Sequence, residues 1–479
     1  MHRRGVVWTA AVALAVATLL TSTTALAATP APKEWDPRIE KYARFVERKR
    51  GLEFEHPVKV DFMGEQAFRR AASSWYDDIT DKDRTQAALD GATLLALGLV
   101  TEPVDLLAAE ESSDVEGTLG FYDDETGELV VRGTDLESTE VKLTIVHELT
   151  HALQDQRFDL GKLDSRTKTS GESAALTSLI EGDASLVERD YLWSLPQRVQ
   201  DAYWDDQPVP AEGEGQGIAP DVASDPTWPA VLDLWTAVDY DLAPTALDLV
   251  VRLHGRSGLD RLFERPPTSE EQIIDPVALD QRDAPVRVAL PEFSADETPQ
   301  GKASDWGAFS WYLVLSSRLP WHQALTAVEG WGGDRSRNYT RTIDGVVQQC
   351  VRLAVTGDTA ADTDQLHEAI ADWAAAMPVG GAEVARDGDR VVLSACPTAQ
   401  APTSGDEAME TAYDRLWERT DQLGYLLAGA APDAFGRCLA DTVVADTDVE
   451  PLLYVERDLT RAENRRIQTA LGAAADACR

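Results

Sequence analysis

The sequence predicts a mainly helical α+β protein. Across most of its 479 residues, apolar side chains recur every three or four positions, as at Ile39, Tyr42 and Val46, which is the spacing of an amphipathic helix. A few short runs alternate apolar and polar residues instead, as residues 58–62 do. Hydrophobic residues make up 43% of the chain, which is ample for a core, and this length is typical of two or three domains.

The first 27 residues have the pattern of an export signal. A basic start at residues 2–4 precedes an uncharged apolar run at residues 6–20 and an A-x-A cleavage pattern at Ala25-Leu26-Ala27. We therefore predict a signal peptide over residues 1–27 and a secreted, extracellular mature protein. The alternative is a membrane anchor, for which the apolar run is short.

The charge balance is strongly acidic. The chain carries 83 Asp and Glu against 44 Lys and Arg, a net charge of −39. Such a surface repels nucleic acid and anionic membrane, so we expect neither as a partner once the signal is removed. Charge does not predict the oligomeric state.

The elements before residue 160 end in the helix that carries the main motif. Ser138 or Thr139 could cap that helix, and a hairpin precedes it around the turn at residues 123–127. The order predicted up to there is a helix at 37–50, a strand at 58–62, helices near 66–76 and 83–99, and the hairpin strands at 119–122 and 128–131.

Later elements are again mostly helical. A stretch rich in Pro, Gly, Asp and Glu at residues 205–229 predicts a long exposed loop. We assign residues 33–400 to one main domain and residues 401–479, which follow a linker-like stretch at 398–405, to an acidic helical module. The predicted elements are helices at 172–193, 231–238, 244–254, 306–319 and 322–329, and short strands at 286–290 and 391–393.

All four cysteines lie in the last third of the chain, and an exported protein can keep disulfides. We predict that Cys350 pairs with Cys396 and Cys438 with Cys478, because pairs of sequence neighbours would each link one local unit. A cysteine zinc site is the alternative, and no C-x-x-C spacing supports it.

The most informative stretch is His147-Glu148-Leu149-Thr150-His151. Residues four apart on a helix lie on one face, so both imidazoles could bind a single Zn²⁺. Glu148 stands beside the first ligand, where it could hold a zinc-bound water and take its proton. With only 7 His in the chain, two surface His on an amphipathic helix is the weaker interpretation.

A catalytic zinc normally has three protein ligands, and no third His follows at a suitable spacing. We therefore predict Glu181, 30 residues after His151, as the third metal ligand. Glu172 and, more weakly, Asp155 are the alternatives. Asp183 is either a carboxylate that orients a ligand His or an ordinary surface residue.

Hydrolysis would also need a donor for the developing oxyanion. Tyr191, Tyr203, His254 and Tyr312 are candidates, and no spacing selects one of them. The hairpin before the motif is either a plain structural hairpin or an edge that pairs with an extended peptide.

At these residues the chain resembles the gluzincin branch of zinc metallopeptidases and, more narrowly, a group of exported bacterial metallopeptidase-like proteins. The resemblance covers roughly residues 35–400 and implies a zincin-like domain in which His147, His151 and Glu181 bind zinc and Glu148 is the base. The residues after about 400 resemble small disulfide-closed helical modules. The matching patches are Gly120-Phe121-Tyr122-Asp123, Gly127 to Val131, His147 to Gln156, Glu181-Gly182-Asp183-Ala184 and Pro266 to Gln272.

These patterns together predict a secreted zinc-dependent peptidase whose partner is a peptide or protein substrate. One alternative is a non-catalytic envelope or binding protein that keeps a metallopeptidase-like fold. Another is a zinc hydrolase of a non-peptide amide or ester, because the same activated water attacks any carbonyl.

Overall fold

A computed structural model describes residues 31–74, 76, 79–133, 136–206, 228–343, 345–398, 404–426, 434–446, 449, 452 and 460–479. The predicted signal peptide lies outside these residues, as does nearly all of the predicted loop at 205–229. The helices are α1 (Glu40–Arg50), α2 (Glu65–Ser73), α3 (Asp81–Leu97), α4 (Leu106–Gly117), α5 (Thr139–Phe158), α6 (Leu160–Asp164), α7 (Ser170–Ser194), α8 (Gln197–Asp206), α9 (Ala230–Ala237), α10 (Ala243–His254), α11 (Arg256–Glu264), α12 (Glu271–Ile274), α13 (Pro276–Gln281), α14 (Ala308–Ser316), α15 (Trp321–Val328), α16 (Ala360–Ala376), α17 (Asp406–Leu426), α18 (Ala434–Val444) and α19 (Arg461–Ala477). The strands are β1 (Lys59–Met63), β2 (Gly120–Asp123), β3 (Glu128–Arg132), β4 (Thr298–Pro299), β5 (Trp331–Ile343), β6 (Val346–Gly357), β7 (Ala382–Asp387) and β8 (Arg390–Ala395).

The prediction of a mainly helical α+β protein with small sheets is confirmed. Within the described residues, no helix combines the length and the apolar character needed to cross a membrane.

A three-stranded sheet, in the order β1-β3-β2, lies against α5. Strand β1 runs parallel to β3, and β2 pairs antiparallel with β3, so the predicted hairpin is present with β2 at one edge. Leu129 and Val131 of β3 point to one face, as residues two apart in a strand must. They are fully buried in one cluster with Ile145 and Leu149 of α5, which fixes this helix on the sheet.

Helix α7 crosses α5 and also packs against α10 and the π-helical turn Val238–Leu242 that joins α9 to α10. Gly182 permits this close approach, because a Cβ at that position would lie 3.0 Å from the Cβ of Ala243. The missing side chain lets α7 lie between α5 and the π-helical turn.

A second sheet, in the order β4-β5-β6-β8-β7, lies further along the chain. Its centre is the long β5–β6 hairpin, which the sequence analysis did not predict. The expected strand at residues 286–290 is wrong, because this segment pairs with no strand. Its backbone is held by a hydrogen bond from the Val286 amide to the Gly332 carbonyl and by one from the Arg390 guanidinium to the Ala289 carbonyl. The predicted Cys350–Cys396 disulfide is confirmed and links β6 to the residue after β8.

The last described helices include α17, whose apolar face belongs to the largest core. Met409, Tyr413 and Leu416 are buried with residues of α14, and the Tyr413 hydroxyl donates to the Ala237 carbonyl at 2.7 Å. The predicted Cys438–Cys478 disulfide, between α18 and the end of α19, is also confirmed. The proposed domain boundary near residue 400 stays a prediction.

Candidate metal centre

Helix α5 places His147 and His151 one turn apart on the same face. Ser138 begins the helix, because its hydroxyl accepts from the Val141 amide. Both imidazoles are buried, and their ring centroids lie 4.6 Å apart. The helical period therefore brings the two rings together, as the spacing in the sequence predicts.

Glu181 of α7 lies between the two rings. One of its carboxylate oxygens is 3.1 Å from Nε2 of His147 and 3.3 Å from Nε2 of His151. Tetrahedral zinc with bonds near 2.0–2.1 Å holds its ligand atoms about 3.3 Å apart, so these separations fit a zinc ion. Two imidazole nitrogens and one carboxylate are also a ligand set that zinc prefers.

The other nitrogen of each imidazole is held by a side chain that leaves Nε2 pointing at Glu181. Nδ1 of His147 lies 2.9 Å from an oxygen of the buried Glu188, and Nδ1 of His151 lies 3.0 Å from Oε1 of Gln154. With Nδ1–H donating in both cases, Nε2 is the nitrogen of each imidazole that can bind a metal once its proton is released.

The ionisable side chains of this cluster shift one another's pKa values. Burial by itself lowers the pKa of His147, but hydrogen bonds to Glu181 and Glu188 outweigh it and raise that pKa well above its usual value. The pKa of His151 is also raised, since Glu181 outweighs burial there. Burial opposes ionisation of Glu181, yet the two imidazoles hold its pKa far below the usual range. A carboxylate that stays ionised is what a divalent metal requires.

Glu148 is buried and is oriented by the hairpin. The backbone amide of Tyr122, in β2, donates to a Glu148 oxygen at 2.9 Å. Among the described residues no other hydrogen bond to this carboxylate is seen. Burial raises the pKa of Glu148, and the neighbouring imidazoles oppose that rise. The hairpin thus lies directly beside the cluster and fixes the candidate base.

Asp183 supports the cluster at one remove from the histidines. Its Oδ2 accepts from Gln154 Nε2 at 2.9 Å and from the buried Arg50 Nε at 2.8 Å. Oε1 of Gln154 in turn lies 3.0 Å from Nδ1 of His151, so Asp183 is connected to that imidazole through Gln154. Of the two predicted environments for Asp183, an ordinary surface position is wrong, because its side chain is fully buried.

Tyr240, in the π-helical turn, is a site residue that the sequence analysis missed. Its ring centroid lies 6.1 Å from that of His147. Burial raises the pKa of Tyr240 well above its usual value, and the nearby Glu181 carboxylate raises it further. Isolated π-helical turns are frequent at functional sites.

The alternative ligands lie elsewhere in the structure. Glu172 contacts the start of its own helix, where its carboxylate accepts from the Lys168 amide at 2.7 Å. Asp155 accepts from the Tyr122 hydroxyl at 2.8 Å and from the Leu160 amide at 3.1 Å. The structure thus brings Glu181, and neither alternative, between His147 and His151.

The four residues suggested as oxyanion donors make other contacts. Tyr191 packs edge-on against Tyr42 and Phe45, and Tyr203 packs with Leu143 and Leu192. The other two candidates also have partners of their own: the Tyr312 hydroxyl donates to the Ala412 carbonyl, and Nε2 of His254 lies 3.5 Å from Asp280.

Comparison with known proteins adds no relative. No family model, no curated protein and no solved structure matches the chain significantly. The assignment of function therefore depends on the geometry of the site.

Proposed function

We propose that the protein is a secreted, zinc-dependent peptidase of the gluzincin type with a zincin-like domain. One observation carries the proposal: Nε2 of His147 and Nε2 of His151 converge on a single oxygen of Glu181, and Glu148 lies next to them on the same helix. A site that only stored or bound a metal would not need the additional buried carboxylate.

Three side chains would hold the zinc: His147, His151 and Glu181. Bound zinc supplies a Lewis acid that polarises a carbonyl and acidifies a water molecule. With three protein ligands, a zinc ion bound here would have a coordination position free for water or substrate. Glu188 and Gln154 hold the Nδ1 side of each imidazole, so that Nε2 is the nitrogen that would give up its proton and bind the metal.

Glu148 serves as the general base. The Tyr122 amide holds one carboxylate oxygen, and the second can accept a proton from the attacking water. Burial raises the pKa of this carboxyl, which makes it a stronger base than an exposed glutamate. The same group can then return the proton to the leaving amine of the substrate.

Tyr240 serves as the donor to the developing oxyanion. A phenol with a raised pKa keeps its proton at neutral pH and can donate a hydrogen bond. Its proximity to His147 and Glu181, two of the proposed metal ligands, supports this role. Such donors contribute most where water is excluded, and this residue is buried.

The two disulfides support the secreted location. Disulfides persist in oxidising compartments, and the four cysteines of this chain are all paired.

The proposal is tested by metal analysis and a broad peptide-library digestion with and without a chelator. We expect one zinc per chain and peptide cleavage that a chelator abolishes. Glu148→Gln should keep the zinc and lose cleavage. A zinc-loaded protein that hydrolyses esters but no peptide would contradict the peptidase assignment, and wild-type protein without zinc would contradict the whole proposal.

A further inference from the structure

A second group of carboxylates lies outside the zinc-binding cluster. Glu271 of α12, Asp283 after α13, and Asp358 between β6 and α16 offer oxygen atoms that lie within 4.8 Å of one another. They line a cavity of about 380 Å³. Backbone hydrogen bonds hold both loop positions, from the Asp283 amide to the Ala278 carbonyl and from the Asp358 amide to the Gly330 carbonyl.

Glu271 is the unusual member of this group. It is only 3% exposed, and its carboxylate has no hydrogen bond or ion pair within the described part of the chain. Arg437 lines the same cavity, but its guanidinium binds Asp275 and lies 4.0 Å from Glu329. The buried Glu271 therefore lies near two other carboxyl groups, and Arg437, which acts on it only through space, is paired with Asp275.

Ionisation of Glu271 is unfavourable in this arrangement, because the group is buried and lies near two other carboxyl groups. Burial is the largest cause of a rise in the pKa of Glu271 to about 10; Asp358 and Asp283 contribute to that rise, and Arg437 opposes it. Without a bound cation, Glu271 is therefore protonated at neutral pH, and a metal ion would have to displace that proton. A divalent cation would offset the mutual repulsion and supply the missing partner.

We propose that Glu271, Asp283 and Asp358 form a calcium site. All three ligands are hard oxygen donors, and calcium accepts six to eight oxygens in a flexible geometry. The cavity leaves room for water molecules to complete the coordination. Zinc prefers nitrogen and sulfur together with oxygen, whereas magnesium demands a near-ideal octahedron that three separate segments do not readily form.

The site would link two parts of the fold. Glu271 belongs to a helix that is buried in the largest core, and Asp358 begins the connection from the second sheet to α16. A cation held by both would tie the sheet to the helical body. Calcium binding should therefore raise the thermal stability of the whole protein.

The test uses the zinc-loaded full-length protein, so that the His147 site is already filled. Calcium chloride is titrated while the thermal midpoint is followed, and binding is measured directly by calorimetry. We expect a saturable rise of about 3 °C or more in the midpoint. Glu271→Gln and Asp358→Asn should each weaken calcium binding at least about tenfold.

Asp358 is exposed, so its variant should fold even if the Glu271 variant does not. Glu368→Gln, an equally conservative change at an exposed position of α16, is the matched control and should bind calcium like the wild type. The proposal is overturned if calcium neither binds nor stabilises the wild type. It is also overturned if Asp358→Asn binds calcium as tightly as the control.

Discussion

Nδ1 of His147 lies 2.9 Å from a carboxylate oxygen of Glu188, although the two residues are 41 positions apart in the chain. Glu188 is on α7, the helix that also supplies Glu181. One helix therefore provides both the carboxylate facing the two Nε2 atoms and the carboxylate that fixes the tautomer of the first imidazole.

Replacing Glu188 by Gln should weaken zinc binding by about 10- to 100-fold, the usual effect of removing a partner of a metal-ligating histidine. The amide keeps the shape of the side chain but removes the charge that favours an Nδ1–H tautomer. Zinc affinity is measured by competition with a chromogenic chelator. Glu125→Gln, in the exposed hairpin turn, is the control; equal affinities for the two variants would contradict the role of Glu188.

Replacing Tyr240 by Phe removes one hydroxyl and should lower kcat by about 10²- to 10³-fold, as expected for loss of one oxyanion donor. The zinc content should not change, because the phenol is not a ligand in the proposed site. Single-substrate kinetics with a peptide identified from the library gives the measurement. A kcat within a factor of about two of wild type would remove Tyr240 from the mechanism.

Zinc binding at neutral pH should release protons. The pKa of His147 is raised, because its carboxylate partners outweigh burial, so His147 carries a proton that the metal must displace. The pKa of His151 is raised as well, because the effect of Glu181 outweighs burial. Affinity should therefore fall as the pH is lowered and rise as the pH passes upward through these pKa values.

Calorimetry in two buffers with different ionisation enthalpies measures this release. We expect at least about one proton per zinc at pH 7. An observed binding heat that does not depend on the buffer would show that both imidazoles are already neutral.

Arg50 and Asp183 form a fully buried ion pair behind the site. Arg50→Met leaves the Asp183 charge without its main partner and should lower the free energy of unfolding by about 3–5 kcal/mol. The double variant Arg50→Met/Asp183→Asn removes both charges and should recover part of that loss. Urea unfolding measures the free energy of unfolding of both variants and the wild type. If Arg50→Met is as stable as the wild type, the ion pair does not stabilise the fold as predicted.

The core of the site could be predicted from sequence because it depends on helical periods. His147 and His151 are four apart, and their convergence follows from 3.6 residues per turn. Glu188 was missed, although a signal exists: it follows Glu181 by seven residues, two turns later on the same face of α7. Tyr240 had no such signal, because a π-helical turn interrupts the 3.6-residue period of the α-helix.

The fold shows the same contrast. The helices near the motif were found because their apolar stripes are regular, whereas the β5–β6 hairpin was missed. Arg and Ser residues interrupt the alternation of apolar and polar residues along β5. Consecutive residues of this strand are also buried in places, so both of its faces are covered there. Asp344-Gly345 is a strong two-residue turn signal in the sequence that would have located the hairpin.

The central claim is that Glu181, with His147 and His151, binds one zinc ion. Zinc affinity of Glu181→Ala, compared with Glu172→Ala on the same helix, tests it most directly. We expect the Glu181 variant to lose at least about tenfold in affinity and the Glu172 variant to keep wild-type affinity. Wild-type zinc binding by Glu181→Ala would contradict the proposed site.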